Sequence, residues 1–214
     1  MLPFSNDEFV AVFTAYNTAI WPAPIFATSL GLAAIAALIA RKIWSDRIIA
    51  AILAALWVGM GIGYHWLYFS AVNSLAYVFG GLFVVAGLGF FVEGVVRDRL
   101  SIRLRRGPLG WAAAALMIYA IVVYPLVGLF ATHPYPATPL FGVAPCPTAI
   151  FTIAVLLLAT GKHSIALAAV PIAWSIVGGS AAILLDVPMD YGLFVAGSIW
   201  GCALIFGCFR WRAA

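Results

Sequence analysis

Every one of the 11 lysines and arginines in this chain falls in an alternate connection between apolar runs, and that placement constrains the fold more than any other feature. Seven runs can be drawn, roughly at 20–40, 48–70, 75–91, 109–131, 147–160, 164–185 and 189–209. Arg41, Lys42 and Arg47 separate the first from the second. Arg97, Arg99, Arg103, Arg105 and Arg106 separate the third from the fourth, Lys162 the fifth from the sixth, and Arg210 and Arg212 follow the seventh. The intervening connections at 72–74, 133–145 and 186–188 hold neither Lys nor Arg. Basic residues stay on the cytoplasmic side of a membrane. The pattern therefore predicts an all-α polytopic membrane protein of seven transmembrane helices, with its N-terminus outside and its C-terminus inside.

Only 8% of the residues are charged, against about 25% in a soluble domain, and the mean hydropathy is +1.12. So few charges cannot clothe a water-exposed surface, and the solvent must be the lipid bilayer. The net charge of +4 does not point to nucleic acid, because the basic residues form no patch with interleaved aromatics. Trp44, Trp111 and Trp211 fall at the expected inner boundary and Trp21 at the outer, as an aromatic belt does.

Residues 1–18 lack the basic n-region of a signal peptide. Ser5 followed by Glu8 fits a capping box, and Phe9, Val12, Phe13 and Tyr16 recur at one helical face. These residues predict an amphipathic interfacial helix, ahead of a single transmembrane domain over 19–214. It either anchors the chain or folds over the outer mouth.

The segment HPYPATPLFGVAPCPTAIFT, from His133 to Thr152, is the strongest functional lead. The apolar run behind it has 14 residues, about 21 Å of helix against a core of about 30 Å. The proline-rich stretch must dip into the membrane to supply the missing length. Irregular backbone at that depth needs a covering of protein or a water-filled cavity. An outward-facing vestibule follows, with Cys146 at its floor as N-cap of the fifth helix and Pro147 at the first helical position. His65, about eight residues before Asn73, lies at a similar depth. Residues that would line the vestibule and bind a solute are His65, Asn73, Tyr135, Cys146, Thr148 and Asp190. Asp186 and Asp190 flank a short outer turn, where water is their usual partner.

Two further patterns hint at an internal duplication. Trp21-Pro-Ala-Pro-Ile-Phe opens the first helix as Pro145-Cys-Pro-Thr-Ala-Ile-Phe opens the fifth. Ile48, Trp57 and Gly61 share their spacing with Ile165, Trp174 and Gly178. A 3+1+3 parallel repeat would put a substrate site between its halves.

The blocks AIWP, GYHWLYFSAVN, PIAWSIVGGSAAILLDVPMDYGL and, most specifically, HPYPATPLFGVAPCPTAIFT resemble a bacterial family of integral membrane proteins of unknown function. That resemblance covers most of the chain and implies a multi-pass protein of the bacterial cytoplasmic (inner) membrane, without an activity. The chain is similar to the SWEET facilitators in topology and size only.

Three functions stay open. The first is a small-solute transporter or facilitator. The second is a transition-metal protein or zinc-dependent membrane hydrolase, with zinc or copper on His65, His133, Cys146 and Asp186. No H-x-x-x-H or C-x-x-C spacing supports that set. The third is a structural or assembly role. There is no P-loop and no Ser-His-Asp set, which favours a non-enzymatic protein.

Overall fold

The computed structural model describes residues 3–132 and 134–208. The chain is almost wholly helical. It comprises α1 (Asn6–Ala19), α2 (Ala23–Ala40), α3 (Ser45–Gly59), α4 (Ala76–Phe90), α5 (Pro108–Ile118), α6 (Pro145–Leu158), α7 (Lys162–Leu185) and α8 (Tyr191–Ile205). Helices α3 and α4 run on through wider π-helical turns at Met60–Trp66 and Phe91–Val96, and α5 continues through such turns to Thr132. Six spans are long and apolar enough to cross a membrane: Ala23–Ala40, Ser45–Ala71, Ala76–Val96, Pro108–Phe130, His163–Leu185 and Pro188–Ile205. Their outward faces carry large apolar side chains such as Phe26, Val85, Ile118, Ile183 and Val195, each more than half exposed. That is what a lipid-facing surface requires.

The seventh apolar helix, α6, is different in kind. From Ala149 to Leu158 no side chain is more than 2% exposed. It is the axis of the bundle, with α5, α7 and α8 packed against it. Its few polar side chains are all used. The Trp57 indole N–H donates to Thr152 Oγ1 at 2.9 Å, and Thr152 and Thr148 donate back to the carbonyls of Thr148 and Ala144. The matching segments of the suspected repeat thus sit in unlike surroundings, because the α2 span is 33% buried.

Both ends of α6 are finished by backbone that the protein covers. At the first, two of the three opening helical residues are Pro145 and Pro147, which have no N–H to leave unsatisfied. The helix starts at Pro145, so Cys146 is its second residue and not its cap. The segment before it is buried from Thr138 to Ala144, apart from half-buried Leu140. Gly142, at φ +79, brings the loop against α2, where an added Cβ would stand 2.5 Å from Ala27. Phe141 fills the notch over Gly31 in the same way.

At the other end the basic connection folds inward. Ser101–Ile102 (β1) pairs antiparallel with Ala159–Thr160 (β2), and Arg103 N–H donates to the Leu158 carbonyl at 3.1 Å. The connection whose arginines mark the cytoplasmic side in the sequence also supplies the cap of the central helix. Acidic residues gather it there. Asp46 pairs with Arg103 at 2.8 Å, Arg47 with Asp98 at 3.0 Å, and Glu93 with Arg97 at 2.6 Å and His163 at 3.1 Å. These pairs are partly exposed, so each contributes about 0–1 kcal/mol. Their main effect is to hold the loop in place.

Helices α3 and α4 approach through glycine. A Cβ on Gly87 would lie 2.8 Å from the Ala54 carbonyl and 3.0 Å from Val58 N, which are backbone atoms that cannot move aside. A Cβ on Gly81, on the same helix, would meet nothing within 4 Å. Gly87→Ala is therefore expected to cost about 1–3 kcal/mol, read as a lower unfolding midpoint in detergent. Gly81→Ala is expected to hold the midpoint or raise it. Equal midpoints would show that the two helices do not pack this closely.

Candidate functional site

At the α1 end of the bundle a cavity of about 300 Å³ opens above the first turn of α6. Its walls are mostly aromatic: Phe4, Phe9 and Phe13 from the N-terminal segment and α1, Tyr64 and Phe69 from the end of the α3 span, Phe79 from α4, Trp174 from α7. The rings pack in two groups. Phe13 stacks on Tyr64 at 4.9 Å and Tyr64 on Phe69 at 5.5 Å, while Phe79 meets Trp174 edge-on at 5.5 Å. Asn73, Tyr124, Cys146, Ser180 and Asp190 bring polar atoms to it.

Helix α1 is tied across this opening at both ends. The Ser5–Glu8 capping box forms, and the Ser5 backbone N–H and hydroxyl hold the Glu8 carboxyl below its ordinary range. Asn6 Nδ2 donates to the Leu185 carbonyl at 2.6 Å. At the far end the buried Asn17 donates to the carbonyls of Pro136 and Thr138 at 2.6 and 2.9 Å. Phe9, Phe13 and Tyr16 lie between these two anchors and face the α3 span, with Tyr16 5.6 Å from Tyr64.

The floor is built by the turn before α8. Tyr119 Oη donates to the Met189 carbonyl at 2.7 Å and holds the turn Pro188–Asp190 against α5. Asp190 is thereby turned inward and is 4% exposed, whereas its neighbour Asp186 is exposed. The sequence suggested that water solvates both. Asp190 stands at the N-cap of α8, yet its side chain makes no capping hydrogen bond. Its Oδ1 instead accepts the Tyr124 hydroxyl proton in a short hydrogen bond. The Cys146 thiol lies close enough to interact with both the Asp190 carboxyl and the Trp174 indole.

Of the six residues expected to bind solute, Asn73, Cys146 and Asp190 line the cavity. Asn73 Oδ1 accepts the Leu75 N–H at 3.1 Å and so shapes the turn beside it. Thr148 lies under the floor, accepting from Gly142 N–H at 2.8 Å. Tyr135 stands at the rim, where its hydroxyl donates to the Asn17 carbonyl at 3.2 Å. His65 is fully buried behind Trp174, ring to ring at 5.3 Å, with Phe83 at 4.6 Å, and neither of its nitrogens has a hydrogen-bond partner among the described residues. His133 lies outside the described residues. No three His, Cys, Asp or Glu side chains among those described stand close enough to share a metal ion. Sequence reasoning missed Tyr124, Asn6 and Asn17. A Tyr inside an apolar helix and two Asn in an amphipathic one carry no mark of their distant partners.

If α1 shields the cavity, freeing its anchors exposes the floor. In a Cys202→Ser, Cys208→Ser background, Asn6→Ala with Asn17→Ala is expected to speed alkylation of Cys146 by N-ethylmaleimide several-fold in a protein that still folds, with a lower unfolding midpoint because Asn17 is buried and bonds two carbonyls. An unchanged rate would mean that α1 does not guard the site.

No curated protein and no solved structure is similar to this chain. A family model matches residues 6–213, from the first residue of α1 past the end of α8. That match takes in both the aromatic cavity and the buried axis helix beneath it, so the chain belongs to the family of unknown function DUF6064.

Proposed function

We propose that this chain is a small-solute transporter or facilitator of the bacterial cytoplasmic membrane, with the α1 end outside and the basic end in the cytoplasm. The orientation rests on the basic residues: those among the described residues all belong to connections at the end opposite α1. The transport reading rests on the cavity. Its volume sits at the lower end of the range of about 300–1,000 Å³ typical of small-molecule sites. It combines an apolar wall with a few convergent polar groups, and it lies at the outer end of a membrane bundle under a helix held by two side-chain anchors. Such a site can receive a solute from one face.

Passage needs a second arrangement, in which the floor opens toward the basic end. Helix α7 has the means. Pro171 interrupts its hydrogen bonding, and Trp174, Val177, Gly178 and Ala181 beyond that point line the cavity. A bend at Pro171 would carry that wall away from Cys146.

The test is uptake into liposomes holding the purified protein, using labelled cationic, neutral and anionic solutes of small size. Saturable flux is expected for at least one class, and Ala181→Trp, which fills the cavity, is expected to abolish it. Flux no higher than in protein-free vesicles for every class would overturn transport.

A further inference from the structure

We infer that the solute is a small organic cation, an amine or quaternary ammonium compound carrying an apolar group, held by the Asp190 carboxylate and the aromatic wall. This rests on the reading of the cavity as a solute site and goes on to name the class of solute.

The polar groups of the cavity differ in what they are free to do. Ser180 Oγ donates to the Val177 carbonyl at 2.8 Å, and the Asn73 oxygen is occupied by the Leu75 N–H. Both oxygens are engaged by local backbone. Asp190 is not engaged as a helix cap. Its neighbours at the floor are a phenol and a thiol, both neutral donors. A carboxylate taken out of water is costly unless a positive charge accompanies it. Among the described residues no Lys, Arg or His lines the cavity. The arginines that pair with acids, Arg47, Arg97, Arg99 and Arg103, do so at the opposite end of the bundle. The charge that Asp190 lacks can come with the ligand.

The wall suits the same ligand. Aromatic faces attract cations through the ring quadrupole, and cages of such rings are the usual receptors for quaternary ammonium groups. Phe13, Tyr64 and Phe69 form one packed group of rings in the cavity wall, and Phe79 with Trp174 a second. An anion would find no cationic side chain there among the described residues, only neutral donors such as Trp174 Nε1–H. The first turn of α6 could have been an anion site, but Pro145 and Pro147 leave Cys146 as the one N–H donor among its three opening residues.

The experiment compares three probes of one shape with purified protein in detergent micelles, by calorimetry against micelles alone. The probes are benzyltrimethylammonium, its uncharged carbon isostere neopentylbenzene, and phenylmethanesulfonate. Wild type is expected to bind the cation at least about ten-fold more tightly than the neutral isostere, and the sulfonate least. Asp190→Asn keeps an acceptor for Tyr124, and circular dichroism with the unfolding midpoint checks that it folds. It is expected to lose most of the cation affinity while the neutral probe is unaffected. Equal affinity for cation and isostere, or an unchanged cation affinity in folded Asp190→Asn, would overturn the cation assignment and leave a solute cavity standing. Binding of none of the three would overturn the cavity reading as well.

Discussion

The fold depends on a helix that is too short for the membrane it sits in. With 14 residues, α6 is about 21 Å long and cannot carry its own termini out of a hydrocarbon layer of about 30 Å. Backbone groups left bare at that depth cost several kcal/mol each. The chain answers by surrounding α6 with protein and sending non-helical backbone in from both sides. The β1–β2 pair and Arg103 close its C-terminal carbonyls, while two prolines and the buried turn over Thr148 close its N-terminus. The cavity follows from the same constraint. A helix that stops short of the surface leaves space above its first turn, and α1 lies across that space.

Charge is divided accordingly. At the basic end, Asp46, Asp98 and Glu93 all meet cationic partners. Their work is structural, holding the inward-folded connection under α6. At the α1 end, Asp190 is the buried acid of the cavity floor, and its hydrogen bond comes from a neutral tyrosine. The two kinds of site differ in what surrounds the carboxylate, and only the second has reason to seek a partner from outside the chain.

How much of this could be read from sequence depends on whether the signal was local. The alternation of basic connections and the length of each apolar run are local, and they gave six spans of adequate length and a seventh that falls short. The shortage itself implied that residues before Pro145 enter the bundle, and the burial of Thr138 and Phe141 agrees. That α6 is central could not be read. In lipid the inside and outside of a bundle are both apolar, so Ile150 in the axis and Ile118 facing outward look alike in sequence. The strand at Ser101 was hidden among arginines that read only as marks of the cytoplasmic side. Asp190 was hidden because an acid beside a proline turn is ordinarily solvated. Its burial follows from the Tyr119 bond to Met189, a contact 70 residues apart.

The distribution of bonds also says which end of the cavity gives way first. Moving α6 means separating the β1–β2 pair, the Arg103 cap and the Trp57–Thr152 hydrogen bond, the last of them fully buried. Lifting α1 means releasing the amides of Asn6 and Asn17 and parting a set of ring contacts. Segments held by few buried bonds open at lower free energy than the core does. Parting α1 from the bundle therefore breaks fewer buried bonds than moving α6, and the α1 face is the side from which the cavity opens at lower cost.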